Sequence, residues 1–235
     1  MGKAREWILQ GNGLDQSNLR NKIVYDLAND LGFSYSADCR WVDLYLNGEY
    51  AGLYLLCERN EVHPNRVNIS TENSFLISSE LEDRLKSQGY PYILTDTNLA
   101  LRIHYPTDVT AELLTELDAK WKSLERAVLS ESGIDPVTGK SWTELIDLDS
   151  WAMLFLVDEI TADHDGGTVS KFFYYNEDDG TGKIFAGPVW DKDDVFSTGH
   201  WTVTPPNCIT AGRSDMVDGQ ERAMFAALFG KKGFS

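Results

Sequence analysis

Gly187-Pro188-Val189-Trp190-Asp191-Lys192-Asp193-Asp194-Val195-Phe196 is the stretch on which the reading of this chain turns. Ile184, Phe185, Ala186, Val189 and Trp190 form a short apolar run of the kind a buried strand shows, with carboxylates at its exit. Three aspartates within four residues repel one another unless they are solvated, protonated or bridged by a cation. Their hard oxygens suit Mg²⁺, Mn²⁺ or Ca²⁺. Two plainer readings stand beside a metal site: an exposed acidic turn in an acidic protein, and aspartates that cap a following helix.

Working back from this stretch, the pattern predicts a returning strand over 183–190, a turn over 178–182 and a partner strand over 169–175. Before them lies a helix capped by Asp147 or Asp149, with Trp151, Leu154, Phe155 and Asp158 on one stripe. It runs into the acidic loop Ala162-Asp163-His164-Asp165-Gly166-Gly167. A hairpin of this kind sets its two ends side by side, so Asp165 on the entering loop faces Asp191 and Asp193 on the exit. Asp165 precedes Ser170 by five residues. In protein kinases a catalytic-loop Asp is followed at that distance by a metal-holding Asn, and a further Asp after a hairpin binds Mg²⁺. One carboxylate orients the attacking hydroxyl while the others hold the ion that neutralises phosphate charge.

The N-terminal half reads as sheet with one helix. Trp7-Ile8-Leu9 is a short strand candidate, and Asp15 and Ser17 are N-cap residues for a helix with Leu19, Ile23, Val24, Leu27 and Leu31 on one face and Gly32 just beyond its end. Arg20 sits in its first turn, where the helix dipole disfavours a cation, which suggests a partner or plain exposure. Val42, Leu44 and Leu46 alternate up to Asn47-Gly48, a hairpin turn, and the run 50–56 returns. Glu58 ends that second strand, either as a buried, paired carboxylate or as the first solvated residue. Further strands are expected over 75–77, 92–94 and 99–105. On the last of them Arg102 and His104 face the same way, able to hold an anion or to sit solvated at an edge. A long amphipathic helix follows from Asp108, and a short one over 224–229.

The chain has 235 residues, enough for one domain with a substantial core. It divides into a sheet-rich part over about 7–106 and a more helical part over about 107–235 that carries the acidic site. A formal net charge of −16 argues against nucleic acid and anionic membranes as partners and leaves cations and basic proteins open. No apolar run is long enough for a membrane span, and no signal peptide is expected before Trp7. Cys39, Cys57 and Cys208 lack metal-ligand spacing, so free thiols or at most one bridge are expected. Gly180-Thr181-Gly182-Lys183 fails as a phosphate loop because the earlier glycine is replaced by Glu177 and the hydroxyl residue by Ile184. No EF-hand or nucleophile elbow is present.

Taken in order, Trp7-Ile8-Leu9, Asp15-x-Ser17-x-x-Arg20-Asn21, Leu44-Tyr-Leu-Asn-Gly-Glu-Tyr-Ala-Gly-Leu-Tyr54, Glu58, Arg66-Val67 and Trp190-Asp191-x-Asp193 resemble the CotH family, the spore-coat protein H-like kinases, over about 7–196. The resemblance implies an α/β (α+β), atypical protein-kinase-like fold. It further implies ATP with Mg²⁺ or Mn²⁺ as cofactors and transfer of the γ-phosphoryl group to Ser or Thr of a protein, in a coat, cell-surface or extracellular setting. The substrate expected is a protein, with basic or Ser-rich sequences as candidates. By the same pattern Asp165 is the catalytic residue and Asp191 the metal ligand, joined by Asp193 and by Ser170 in the place of the kinase Asn. Glu58, Arg102 and His104 fall on the nucleotide side. His104 stands where family members commonly carry Lys before Tyr-Pro, and a basic segment that usually precedes the Trp7 strand is absent, so a truncated domain is expected. The competing reading is a non-catalytic, kinase-like surface or coat protein acting in assembly or adhesion. A carbohydrate-binding module, suggested by the Trp and Tyr content, is a third.

Overall fold

A computed structural model describes residues 1–163, 169–196 and 223–234. Strand β1 (Trp7–Gln10) pairs antiparallel with β3 (Glu49–Glu58), whose other edge takes β2 (Cys39–Leu46). The turn joining β2 to β3 is the one Asn47-Gly48 announces. Both residues have positive φ, 52° and 87°, a conformation that Asn and Gly adopt with least strain.

Helix α1 (Arg20–Leu31) crosses between β1 and β2 and stops at Gly32, whose φ of 87° closes it. Its buried face matches the expected one only in part: Val24 is buried and Leu27 packs against the core as expected. Asn21, Val24, Tyr25 and Ala28 point inward, while Leu19, Ile23 and Leu31 are exposed. Both sets have helical spacing. The inward set wins because the polar atoms of Asn21 and Tyr25 find partners in the acidic stretch, as described below. Arg20 has a local partner, Asp15, at 2.9 Å, and the other oxygen of Asp15 accepts the Arg20 backbone N–H at 2.8 Å. Asp15 therefore serves the start of α1 from five residues upstream.

A second antiparallel sheet contains β4 (Phe75–Glu80), β5 (Tyr92–Leu94), β6 (Ala100–Tyr105), β7 (Phe172–Tyr175) and β8 (Ile184–Ala186), in the order β5-β6-β4-β7-β8. Because β4 lies between β6 and β7, the hairpin of the second half of the chain completes a sheet begun in the first half. All of β7 is buried, as a strand must be when both sheet faces are covered. On one side Phe173 meets Trp121 of α3 (Ala111–Leu129) and Trp151 of α5 (Leu148–Thr161), each at 5.0 Å between ring centroids. On the other side Phe172 and Tyr174 pack with Leu76, Val67 and Ile69.

The long helix begins at Ala111 rather than Asp108, because Thr110 supplies the cap, its Oγ1 accepting the Leu113 N–H at 3.2 Å. Asp147 caps α5 as expected, accepting from Ser150 N–H at 2.9 Å. Two short helices carry no apolar stripe that would have announced them: α2 (Glu82–Gln88) and α4 (Trp142–Leu145), the latter started by a Ser141/Glu144 capping box. Helix α6 (Ala223–Phe229) adds Met224, Phe225 and Leu228 to the core. The strand expected over 183–190 stops at Ala186. Pro188 has no N–H for the ladder, and Gly187 turns the chain away with φ 103°. The whole is a mixed α/β structure with antiparallel sheets.

Candidate active site

Once off the sheet, the acidic stretch is held from three sides. Tyr25 of α1 stacks on Trp190, ring centroids 5.9 Å apart, and its Oη accepts the Asp191 N–H at 3.3 Å. Asn21, one helical turn earlier, accepts the Lys192 N–H through Oδ1 at 2.6 Å. Asp191 has φ 58°, in the left-handed region that Asp tolerates better than most residues. Lys192 is consequently buried, 2% exposed, whereas Asp191 is exposed and Asp193 half-buried.

Among the described residues, the buried side of this segment is an ionic cluster of Asp158, Asp163, Lys171 and Lys192. Lys192 Nζ lies 3.2 Å from Asp158 and 2.5 Å from Asp163, and Lys171 Nζ closes on the other oxygen of Asp158. All four side chains are at most 4% exposed. Asp158 comes from the last turn of α5 and Asp163 from just beyond it, brought back by an Asp163 N–H bond to the Asp158 carbonyl at 2.9 Å. Burial pushes the Asp158 carboxyl above the usual carboxylate range despite both lysines. Burial works the same way on Asp163, but Lys192 and Lys171 outweigh it and hold that carboxyl low. Burial also opposes the charge of Lys192, and the two aspartates overcome it and keep the ammonium protonated. The cluster thus ties together the end of α5, the start of β7 and the acidic stretch.

On the exposed side, Ser170 donates through Oγ to Asp191 Oδ2 at 3.0 Å. Ser170 itself is set by β4, its N–H donating to the Ser79 carbonyl at 3.0 Å. Burial raises the Asp193 carboxyl above its ordinary range, and the charges of Asp191, Asp194 and Asp15 add to that. The structure therefore brings Ser170, Asp191 and Asp193 to one place. Asp165 lies outside the described residues. Among the described residues no group of three or more His, Cys, Asp or Glu side chains closes to metal-holding distance. Asp191 and Asp193 fit a hard divalent ion in donor chemistry, with further ligands needed to complete its shell.

Next to Trp190 the space between the two sheets opens into a cavity of about 220 Å³ lined by Ile8, Arg59, Asn60, Tyr90, Arg102, His104, Phe172 and Trp190. A second cavity of about 300 Å³ shares Arg59, Asn60 and His104 with it. The Arg102 guanidinium carbon lies over the Tyr90 ring, 3.4 Å from its centroid. His104 is not the basic partner its strand position suggests. Burial, then the neighbouring Arg102 and Arg59 charges, push its ring down to about 3, so it is neutral at physiological pH. It shares a 2.8 Å hydrogen bond with Ser78 Oγ and packs on Phe172. Both amide atoms of Asn60 and the Nε of Arg102 are buried without a hydrogen-bond partner among the described residues. Such orphaned groups in a cavity wall favour a polar ligand, because each one left unmatched is costly.

Glu58 is buried and paired. Arg66 lies 2.9 Å away, and Gly2 N–H (2.6 Å), Asp38 N–H (3.2 Å) and the Tyr35 hydroxyl (3.3 Å) donate to the same carboxylate. Those donors account for what a carboxylate can accept, so Glu58 secures the first residues of the chain. Asn60, two residues on, lines the cavity instead, and no local pattern in the sequence gives a signal for it. The pairing of Asp158 and Asp163 with Lys171 and Lys192 was equally unannounced, because its members are scattered along the chain.

A family model described as CotH kinase protein matches residues 1–231. The chain belongs to the CotH family. No curated protein matches it. In this CotH chain the residues that carried the resemblance take definite structural roles: Asp15, Arg20 and Asn21 order the start of α1 and, through Asn21, the acidic stretch, while Arg66 neutralises Glu58. Among the described residues of this family member no helix is long and apolar enough to cross a membrane.

Proposed function

We propose that this CotH domain binds ATP with Mg²⁺ or Mn²⁺ in the cleft between its two sheets, in a protein-kinase-like arrangement, and transfers the γ-phosphoryl group to a Ser or Thr hydroxyl of a protein. The observation that carries this reading is the position of the cavity. Its walls supply orphaned donors and acceptors from Asn60 and Arg102, a second cation in Arg59 and aromatic faces in Tyr90, Phe172 and Trp190. Its Trp190 wall runs directly into Asp191. When bound, the divalent ion would neutralise phosphate charge. Asp191 and Asp193 would hold it with help from Ser170, Arg102 and Arg59 would face phosphate, and neutral His104 would serve as packing and a hydrogen-bonding surface. Asp165, by the family pattern, would orient the acceptor hydroxyl.

The test is titration of ATP with either metal, followed by phosphate incorporation into the protein itself or into a basic, Ser-rich peptide. Asp191→Asn is expected to lower incorporation by at least about a hundredfold, the scale seen when a positioned charge-stabilising group is removed, and to leave the fold intact because Asp191 is exposed. Failure of the wild-type protein to bind nucleotide under these conditions would refute the reading. One observation favours the non-catalytic alternative of a surface or coat protein acting in assembly or adhesion. The tip of the β2–β3 hairpin exposes Tyr45, Leu46 and Tyr50 at 62%, 59% and 58%, a cluster suited to protein contact. Binding of a coat or surface protein by an inactive Asp191→Asn variant, lost on substitution of these three residues, would support it.

A further inference from the structure

Cys39 and Cys57 stand directly opposite each other, as Cα partners in the antiparallel register of β2 and β3. The ladder around them shows which kind of pair they form. Glu58, one residue past Cys57, donates its N–H to the carbonyl of Asp38, one residue before Cys39, at 3.0 Å. A bond between those flanking residues marks the enclosed pair as non-hydrogen-bonded. In such pairs the Cα atoms approach to about 4.5 Å and the side chains come closest. Disulfides span Cα separations of about 4.4–6.8 Å and need Cβ vectors that do not diverge. Directly opposed residues project from the same sheet face, so this pair meets both conditions without backbone movement.

Both thiols are free and buried, at 2% and 0% exposure. The Cys57 S–H beside it draws the Cys39 thiol below its ordinary range, and the same contact, with burial, holds Cys57 above. Cys39 is thus the readier thiolate. It is also the first residue of β2, and strand ends open more easily than strand centres.

We propose that Cys39 and Cys57 form a redox pair that closes to a cross-strand disulfide. The oxidant is an external disulfide of the glutathione type. The Cys39 thiolate attacks one of its sulfurs, forming a mixed disulfide and releasing one thiolate. Cys57, once deprotonated, attacks the Cys39 sulfur and releases the second. Two protein thiols are oxidised, the external disulfide is reduced to two thiols, and the protons pass to the released thiolates. The bridge staples β2, whose hydrogen-bonded neighbour is β3, to the central strand of its sheet.

The experiment incubates a Cys208→Ser variant with oxidised glutathione, unfolds it in an alkylating reagent, digests it and weighs the peptides. The third cysteine, Cys208, lies outside the described residues, and removing it leaves only the pair. The expected result is a Cys39–Cys57 linked peptide that escapes alkylation until it is reduced. Two alkylated cysteines without reduction, or glutathione retained on either one, would overturn the proposal. The wild-type chain provides a second reading without any substitution: a Cys39–Cys57 bridge with Cys208 alkylated supports it, and a bridge through Cys208 overturns it. Both readouts are independent of nucleotide binding, so they stand or fall separately from the proposed activity.

Discussion

Lys192 is a cation that the fold, not its acidic neighbours in sequence, provides with partners. The left-handed turn at Asp191 sends its side chain inward between Asp158 and Asp163. Removing one partner of a buried ionic cluster leaves an uncompensated charge. Lys192→Met is therefore expected to cost about 3–5 kcal/mol in urea denaturation, with partial recovery when Asp163→Asn is added. His104 makes a second prediction at this scale. Its folded value of about 3 lies below the ordinary 6.5, so the folded protein binds this proton less readily than the unfolded chain. Stability from this group is present above the unfolded value and is lost as pH falls from about 6.5 toward about 3. His104→Gln is expected to lessen that acid-side loss by on the order of 3 kcal/mol, measured as the difference between the two proteins' denaturation curves across the window.

At the scale of elements, the end of β8 decides where the acidic stretch points. Gly187 has φ 103°, and a Cβ there would meet the Phe33 ring at 3.0 Å. Gly187→Ala combines backbone strain with that contact and is expected to destabilise by about 1–3 kcal/mol, read as a lowered thermal midpoint. It also moves Trp190 and Asp191, so any cation affinity should fall with it. Much of the element pattern was legible where local chemistry is decisive. Asn47-Gly48 specified a turn, Gly32 a helix end and Asp147 a cap, because each acts on atoms within a few residues. The buried face of α1 was legible only at Val24 and Leu27. Leu19, Ile23 and Leu31 share their stripe yet are exposed, whereas Asn21 and Tyr25 are buried against partners about 170 residues away in sequence.

For the whole molecule, the arrangement that matters is a cleft bordered by both sheets, with β1 and the end of β3 on one side and β6, β7 and Trp190 on the other. Asn60 carries the sharpest prediction. An ordinary buried Asn is expected to destabilise when replaced, but this one has neither amide atom matched among the described residues. Asn60→Leu is therefore expected to leave stability unchanged or to raise it by about 1 kcal/mol while weakening ATP binding at least about tenfold. Equal loss of stability and binding would show instead that Asn60 is a structural residue.

The sequence by itself determined the family, the antiparallel pairing, the Asn47-Gly48 turn, the ends of helices marked by Gly32 and Asp147, and the acidic exit of the 184–190 run as the place to look. Those features follow from side-chain periodicity, capping chemistry and a motif read in chain order, all of which act over short distances. The tertiary structure alone decided that Glu58 is saturated by Arg66 and backbone donors, that His104 is neutral, that Asn60 and Arg102 face the cleft with unmatched atoms, and that Lys171 and Lys192 lock the acidic stretch from beneath. Each of these depends on burial and on partners far apart in the chain. Burial sets which charge state survives, and a partner can be known only once the chain has brought it within reach.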